Sequence, residues 1–208
     1  MNPIEAIVFD LGGVIIELSG VPVMAQWLGG RVPKEELWKT WLHSKAVRVF
    51  ESGSCSPEEF ADAIIKEMDL PVSVQKFIDA FERWPIGLFP GTKKILLNLR
   101  KRYHLAVLSN TNVLHWPRFM NDFGLSSAFD SFFPSHVTGK LKPDYESYRN
   151  VCQSLSIQPS QILFFDDNEQ NVLRAQDIGI RAHKVNGIDE ALAYLLQTKM
   201  VNADEGLP

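Results

Sequence analysis

The sequence has little cysteine, no long apolar run and no excess of positive charge. Cys55 and Cys152 stand far apart among 208 residues, which excludes a disulfide framework or a CxxC motif and predicts two inert thiols in a reducing compartment. No apolar stretch reaches the length of a membrane span, and no signal peptide is expected. A net charge of −4 gives no reason to expect nucleic acid or an anionic membrane as a partner. We therefore expect a cytoplasmic protein, with no prediction of its oligomeric state.

Three apolar runs each end in polar side chains, as expected for strands that are buried on both faces. They are AIVFDLGG, LAVLSNTN and ILFFDDNE, at 6–13, 105–112 and 162–169. Two weaker strand candidates cover 129–137 and 181–185. Amphipathic helical patterns lie between these runs, over 92–103, 145–155, 169–179 and 189–199. This alternation predicts an α/β fold with a parallel sheet covered on both faces by helices.

Residues 17–87 interrupt this alternation, because they hold helical patterns only. Ser56 followed by Pro57 is typical of a helix start, with the serine as N-cap. Four of the five tryptophans lie in this segment, as expected of a helical unit that buries its own core. We predict a helical module inserted into an α/β core made of residues 1–16 and 88–200, followed by a flexible tail at 201–208.

The polar ends of the strands supply the candidate functional side chains. Because ligands bind beyond the carboxyl ends of parallel strands, these side chains are expected to lie close together. A single strand-end carboxylate is more often a turn or cap residue, and an acidic pair can be a helix N-cap with its neighbour. Several such features in one order favour a functional site instead. In chain order the candidates are Asp10, Ser109, Asn110, Lys142, Asp166 and Asp167.

The order and spacing of these motifs resemble those of the haloacid dehalogenase superfamily. FDLGGV is similar to its motif I, LSNTN to motif II, KLKPD to motif III and FFDDNEQN to motif IV. The helical insertion resembles a cap of the C1 type, and the whole chain looks most like sugar-phosphatase-like members and the phosphatase domain of soluble epoxide hydrolase. The resemblance implies a Rossmannoid parallel sheet with an inserted all-helical C1 cap. It also implies Mg²⁺-dependent hydrolysis of a small phosphorylated metabolite such as a sugar phosphate.

The resemblance also implies a role for each candidate. Asp10 is expected to attack phosphorus and form an aspartyl-phosphate. A metal site built of oxygen ligands suits Mg²⁺, and the expected ligands are Asp10, the main-chain carbonyl of Gly12, and Asp167, with Asp166 close by. The phosphoryl oxygens are expected to be bound by Lys142, Ser109 and Asn110.

A few neighbouring residues are weaker candidates. Asn171 stands four residues after Asp167 and could brace the metal ligands. Lys140 competes with Lys142, but the lysine directly before the proline fits the family pattern better. Each of three histidines is more typical of a surface or core position than of a catalytic one, namely His43, His115 and His136.

Gly12 departs from the usual family pattern, in which an aspartate two residues after the nucleophile serves as general acid and base. Glycine keeps the main-chain carbonyl and removes the proton shuttle, whose loss usually costs ~10²–10⁴-fold in rate. Three hypotheses stay open. The protein is a phosphatase whose substrate has a good leaving group or whose cap or solvent supplies the proton, a metal-independent 2-haloacid dehalogenase, or a catalytically weak protein that binds a ligand or partner. The acidic pair in FFDDN favours the phosphatase, because a dehalogenase needs no cation site.

Overall fold

The computed structural model describes residues 3–201, and seven strands and ten α-helices are described within them. The strands, β1 to β7 in chain order, are Ala6–Phe9, Ile16–Leu18, Pro85–Leu88, His104–Ser109, Ser131–Pro134, Ile162–Asp166 and Arg181–Lys184. Five of them form one parallel sheet in the order β5-β4-β1-β6-β7. All five strands expected from the apolar runs are therefore present, and the predicted α/β sheet is confirmed.

The helices cover both faces of this sheet and build a separate helical layer. In chain order, α1 to α10 are Gly20–Trp27, Lys34–His43, Lys45–Glu51, Pro57–Glu67, Val74–Phe81, Thr92–Leu99, Ser135–Thr138, Tyr145–Leu155, Glu169–Asp177 and Ile188–Gln197. Within the described residues, no helix is both long enough and apolar enough to cross a bilayer.

Strand β1 lies at the centre of the sheet, paired with β4 on one side and β6 on the other. Its side chains alternate between the two faces, as the period of a strand requires. Ile7 and Phe9 pack into the core beneath α6 and α10, whereas Ala6 and Val8 pack beneath α8 and α9. Burial on both faces explains why this strand is an unbroken apolar run in the sequence.

Helices α1–α5, which we call the cap, enclose a hydrophobic core of their own. Its centre is aromatic, with Phe50 stacked on Phe60 at 4.3 Å between ring centroids. Ser56 caps α4 in a reciprocal capping box with Glu59, which confirms the predicted N-cap. The cap is therefore a packed unit rather than a loose insertion.

Two details of the cap differ from the sequence-based expectation. Residues 17–87 are not helical throughout, because β2 and β3 form a two-stranded antiparallel sheet that pairs Ile16 with Leu88. These strands are three and four residues long, too short to show a period of two. In addition, a separate short helix, α3, follows α2 at once, and its N-terminus is capped by Ser44, which accepts from the Val47 N–H at 3.1 Å.

The predicted flexible tail also needs a correction at its first residue. Val201 is 2% exposed, and its apolar side chain packs into the core beneath α6 and α10. Residues 202–208 of the predicted tail lie outside the described part of the chain.

Candidate functional site

The carboxyl ends of the three central strands bring the predicted acids together. Asp10 directly follows β1, Ser109 ends β4 and Asp166 ends β6. Carboxylate oxygens of Asp10, Asp166 and Asp167 all lie within 4.8 Å of one another. Sheet topology thus converts three distant stretches of sequence into one acidic cluster, which we call the carboxylate cluster.

Lys142 supplies the positive charge inside this cluster. Its side chain is 1% exposed, and Nζ lies 3.0 Å from Asp10 Oδ1 and 2.5 Å from Asp166 Oδ2. Burial alone would lower the pKa of Lys142, but the two carboxylates outweigh it and hold the pKa above its ordinary value. Lys140 instead donates to Asn150 Oδ1 at 2.8 Å, so Lys142 is the lysine that meets the acids.

Asn110 holds the main chain of Lys142 in place. Its Nδ2 donates to the Lys142 carbonyl and its Oδ1 accepts from the Lys142 N–H, both at 2.9 Å. This reciprocal pair satisfies both main-chain groups of a buried residue, as backbone in a protein interior requires. Ser109, the neighbour of Asn110, is 3% exposed. Asn110 therefore connects the end of β4 to the segment that carries the lysine.

Asp166 is saturated with donors from the protein. Besides Lys142, the Asn168 N–H donates to its Oδ1 at 2.8 Å, and Asn171 Nδ2 lies 3.0 Å from both oxygens. Burial raises the pKa of Asp166 to about 6, with Lys142 opposing the rise and Asp10 adding to it. Asn171 therefore braces Asp166, whereas its helical spacing in the sequence predicts Asp167 as the acid that it braces.

Asp167 is the acid without such support. Within residues 3–201 no other side chain donates a hydrogen bond to its carboxylate, and burial, followed by the charges of Asp10 and Asp166, raises its pKa to about 7. Gly13 makes room for it: with φ +73°, a Cβ at Gly13 would lie 2.2 Å from Asp167 Oδ2. Glycine is required there both for the left-handed backbone and for the close approach.

The charges in the carboxylate cluster do not balance. Three carboxylates face one lysine, and like charges this close raise the free energy of the ionised state. Mg²⁺ prefers oxygen ligands of this kind, with water and phosphate oxygens completing its coordination. The residues present therefore fit a divalent cation, and Asp167, to which no other side chain of residues 3–201 donates, has carboxylate oxygens free to bind it.

Asp10 is oriented through one of its two oxygens. The Leu11 N–H donates to Oδ1 at 2.7 Å, and Lys142 Nζ approaches the same oxygen. Oδ2 receives no hydrogen bond from the described residues. One oxygen is thus fixed by the protein while the other is left for a ligand or a reaction.

Position 12 offers no side chain to the site. A Cβ built on Gly12 would lie 2.9 Å from Leu18 Cδ1, so the apolar side chain of Leu18 on β2 occupies the space beside the main chain. Among the described residues, the carboxylate cluster itself therefore contains no acid at the position where the resemblance leads one to expect it.

Two of the three candidate histidines, His115 and His43, make their contacts away from the carboxylate cluster. His115 stacks on Phe81 at 4.2 Å between ring centroids, and its Nε2 lies 2.6 Å from the Phe81 carbonyl oxygen; burial lowers its pKa to about 4. His43 is exposed at the end of α2, hydrogen-bonded to the Lys39 carbonyl. His115 is thus a packing residue between cap and core, and His43 a surface residue.

Glu51 was not foreseen from the sequence. It is the last residue of α3, and burial, followed by the charge of Asp10, raises its pKa to about 8, with Lys142 opposing the rise. The sequence offers one weak signal, because an acid at the C-terminus of a helix faces the negative end of the helix dipole. Only the packing of the cap on the core brings this carboxyl within the electrostatic influence of Asp10 and Lys142.

Comparison with known proteins identifies a family that the chain matches and several similar phosphatases and structures. A family model described as haloacid dehalogenase-like hydrolase matches residues 4–179. A D-ribitol-5-phosphate phosphatase of Bacteroides thetaiotaomicron is 26% identical over 198 residues, covering 89% of this chain and 94% of that protein. A sesquiterpene phosphatase, astK, of Aspergillus oryzae is 28% identical over 182 residues, covering 85% and 87%. A HAD family enzyme of B. thetaiotaomicron, solved with magnesium and inorganic phosphate, superimposes with a TM-score of 0.71 at 26% identity, covering 87% and 93%.

Proposed function

The chain belongs to the haloacid dehalogenase-like hydrolase family, and from this we propose that it is a Mg²⁺-dependent phosphatase acting on a small phosphomonoester, a sugar or sugar-alcohol phosphate. The observation that carries the proposal is the carboxylate cluster, in which three acids lie together and two of them, Asp10 and Asp166, pair with the buried Lys142. The phosphate substrate of the Bacteroides relative supports the substrate class. Magnesium in the related HAD enzyme supports the cofactor.

Asp10 is the nucleophile in this proposal. Its Oδ1 is held by the Leu11 N–H and by Lys142, so Oδ2 is the oxygen free to attack phosphorus. The attack forms the Asp10 Oδ–P bond and breaks the bond from phosphorus to the leaving oxygen. Water then cleaves the aspartyl-phosphate and releases phosphate.

Charge neutralisation is the other requirement, because a carboxylate must approach a phosphate dianion. Lys142 supplies a fixed positive charge to the phosphoryl oxygens, where negative charge is spread in the transition state. The residues that would hold Mg²⁺ are Asp10, Asp167 and the main-chain carbonyl of Gly12, with Asp166 beside them. When bound, the cation supplies the remaining positive charge that orients and neutralises the transferring group.

Ser109 and Asn110 complete the proposed phosphate site from the end of β4. The amide of Asn110 is engaged with the main chain of Lys142, so its first contribution is to position the lysine. Ser109, buried at the strand end, is proposed to donate its hydroxyl to a phosphoryl oxygen.

The dehalogenase hypothesis receives less support from this site. A metal-independent displacement of halide needs one aspartate nucleophile and has no use for a second acid such as Asp167. No other side chain within residues 3–201 donates to the Asp167 carboxylate, and burial, followed by the charges of Asp10 and Asp166, raises its pKa. A binding protein without catalysis likewise leaves unexplained why the costly buried charges of Asp10 and Lys142 face one another.

A phosphate-release screen over sugar and sugar-alcohol phosphates with Mg²⁺ tests the proposal, with chloride release from 2-chloropropionate measured in parallel. We expect phosphate release that is lost in Asp10→Asn and is reversibly lost on chelation of the metal. Asp62→Asn removes an exposed carboxylate paired with Lys66 on α4 and is expected to keep full activity. Chloride release without metal, or phosphate release that survives both treatments, contradicts the proposal.

A further inference from the structure

The proposed reaction requires a proton that the carboxylate cluster does not provide. An alkoxide leaving group must be protonated as its bond to phosphorus breaks, and the attacking water must then lose a proton. Gly12 has no side chain for either task, and Lys142 is held as a cation by two carboxylates. Any acid that serves must therefore reach the site from elsewhere in the fold.

The cap approaches this side of the site through α3. Arg48 forms an ion pair with Asp144, which stands two residues after Lys142. Just beyond the helix, the backbone at Gly53 packs so closely on the core that a Cβ there would lie 2.3 Å from the His136 carbonyl oxygen. Helix α3 is thus anchored to the core on both sides of its last residue, Glu51.

Glu51 lies between these two anchors. It is partly buried, and its position at i+3 from Arg48 puts the two side chains on the same side of the helix. Asp10 and Lys142 are the charged groups that act on it. Within residues 3–201 its carboxyl makes no hydrogen bond and no ion pair, and it is therefore separate from the donors that saturate Asp166.

We propose that Glu51 is the general acid and base of the reaction, supplied by the cap in place of the carboxylate missing at position 12. This inference rests on the proposed phosphatase function. A partly buried carboxyl that has no hydrogen-bond donor and lies near another carboxylate favours its neutral form; burial, followed by the charge of Asp10, raises the pKa of Glu51 to about 8, with Lys142 opposing the rise. A neutral acid of this kind can give up a proton near neutral pH.

The proton balances over the two steps. In the first, Asp10 attacks phosphorus, the bond to the leaving oxygen breaks, and that oxygen takes the proton of Glu51. In the second, the Glu51 carboxylate takes a proton from water, whose oxygen attacks phosphorus and breaks the bond to Asp10. Phosphate leaves, Asp10 is again a carboxylate and Glu51 is again neutral.

Glu51→Gln tests the inference because the amide keeps the size of the side chain and removes the transferable proton. The substrates are D-ribitol 5-phosphate, whose alkoxide needs a proton, and p-nitrophenyl phosphate, whose phenolate leaves without one. We expect kcat/KM for ribitol 5-phosphate to fall ~10²–10⁴-fold, the usual worth of general acid catalysis. With p-nitrophenyl phosphate we expect less than about a tenfold fall, and a burst of nitrophenolate followed by slow turnover, because water activation is also impaired.

Two further variants define the outcome. Glu58→Gln, an exposed acid in the first turn of α4, is the matched control and should leave both substrates unaffected. Asp10→Asn reports on the phosphatase function itself, because it should abolish the burst as well as the turnover. If Asp10→Asn behaves as expected, then an equal fall with both substrates, no fall, or a rise only in KM for ribitol 5-phosphate overturns the role of Glu51.

Discussion

Replacing Lys142 with methionine tests the electrostatic organisation of the site directly. Methionine keeps much of the apolar stem of lysine and removes the charge between Asp10 and Asp166. The lysine side chain is 1% exposed and that of Asp166 is 0% exposed, so water cannot replace the lost partner. Removing one member of a buried ion pair leaves the other charge uncompensated, at a cost of about 3–5 kcal/mol. We expect a loss of that size in the free energy of unfolding, measured by urea denaturation with chelator at about pH 8.

The pH dependence of this loss has a definite sign. Burial already raises the pKa of Asp166 to about 6, and without Lys142 it rises further. The folded variant then holds a proton that the unfolded chain releases above its ordinary pKa near 3.8. Its stability therefore falls as pH increases between these two values. We expect a smaller loss at about pH 5 than at about pH 8.

Lys140→Met is the matched control for this experiment. Lys140 is a lysine of the same segment whose side chain donates a hydrogen bond to Asn150, and such a bond contributes about 0.5–1.5 kcal/mol. We expect its loss to stay in that range and to change little with pH. A loss below about 1 kcal/mol in Lys142→Met, or a larger loss at acidic pH, would refute the reasoning.

Three further predictions concern the glycines and the cation. In the Glu51→Gln variant, Gly12→Asp should restore hydrolysis of alkyl phosphates more than that of p-nitrophenyl phosphate, once Leu18 Cδ1 moves away from the 2.9 Å that would separate it from a Cβ at position 12; the ratio of kcat/KM values checks this. Gly13→Ala should weaken Mg²⁺ binding about 10–100-fold by calorimetry, because its Cβ displaces the Asp167 carboxylate. Mg²⁺ affinity of the unaltered protein should rise between about pH 6 and pH 8, since the pKa of Asp167 is raised to about 7 and binding expels its proton. A Mg²⁺ affinity of the unaltered protein that stays constant between about pH 6 and pH 8 would contradict this last prediction.

Local patterns were sufficient for the parts of the molecule in which burial is continuous. The run before Asp10 is apolar because β1 is covered on both faces, and the amphipathic pattern at 145–155 coincides with α8, Tyr145–Leu155. The polar strand ends likewise predict which acids meet, because parallel strands share one carboxyl edge.

Contacts between distant segments could not be predicted in this way. The pairing of β2 with β3 is short and depends on the cap returning to the core beside its point of departure. The clearance of Gly13 from Asp167 and the position of Glu51 are products of tertiary packing. Neither leaves a period or a motif in the local sequence.

The antiparallel pair of β2 and β3 has a consequence for how the molecule can change. The chain leaves the core and returns to it as two adjacent, hydrogen-bonded strands, so the two crossings move together as a single hinge rather than as two independent tethers. A domain inserted through two adjacent chain ends is tolerated without rearrangement of the core that carries it. We expect that a different helical module could be joined at Ile16 and Leu88 without disturbing the strand order, which would leave the carboxylate cluster in place and change what covers it.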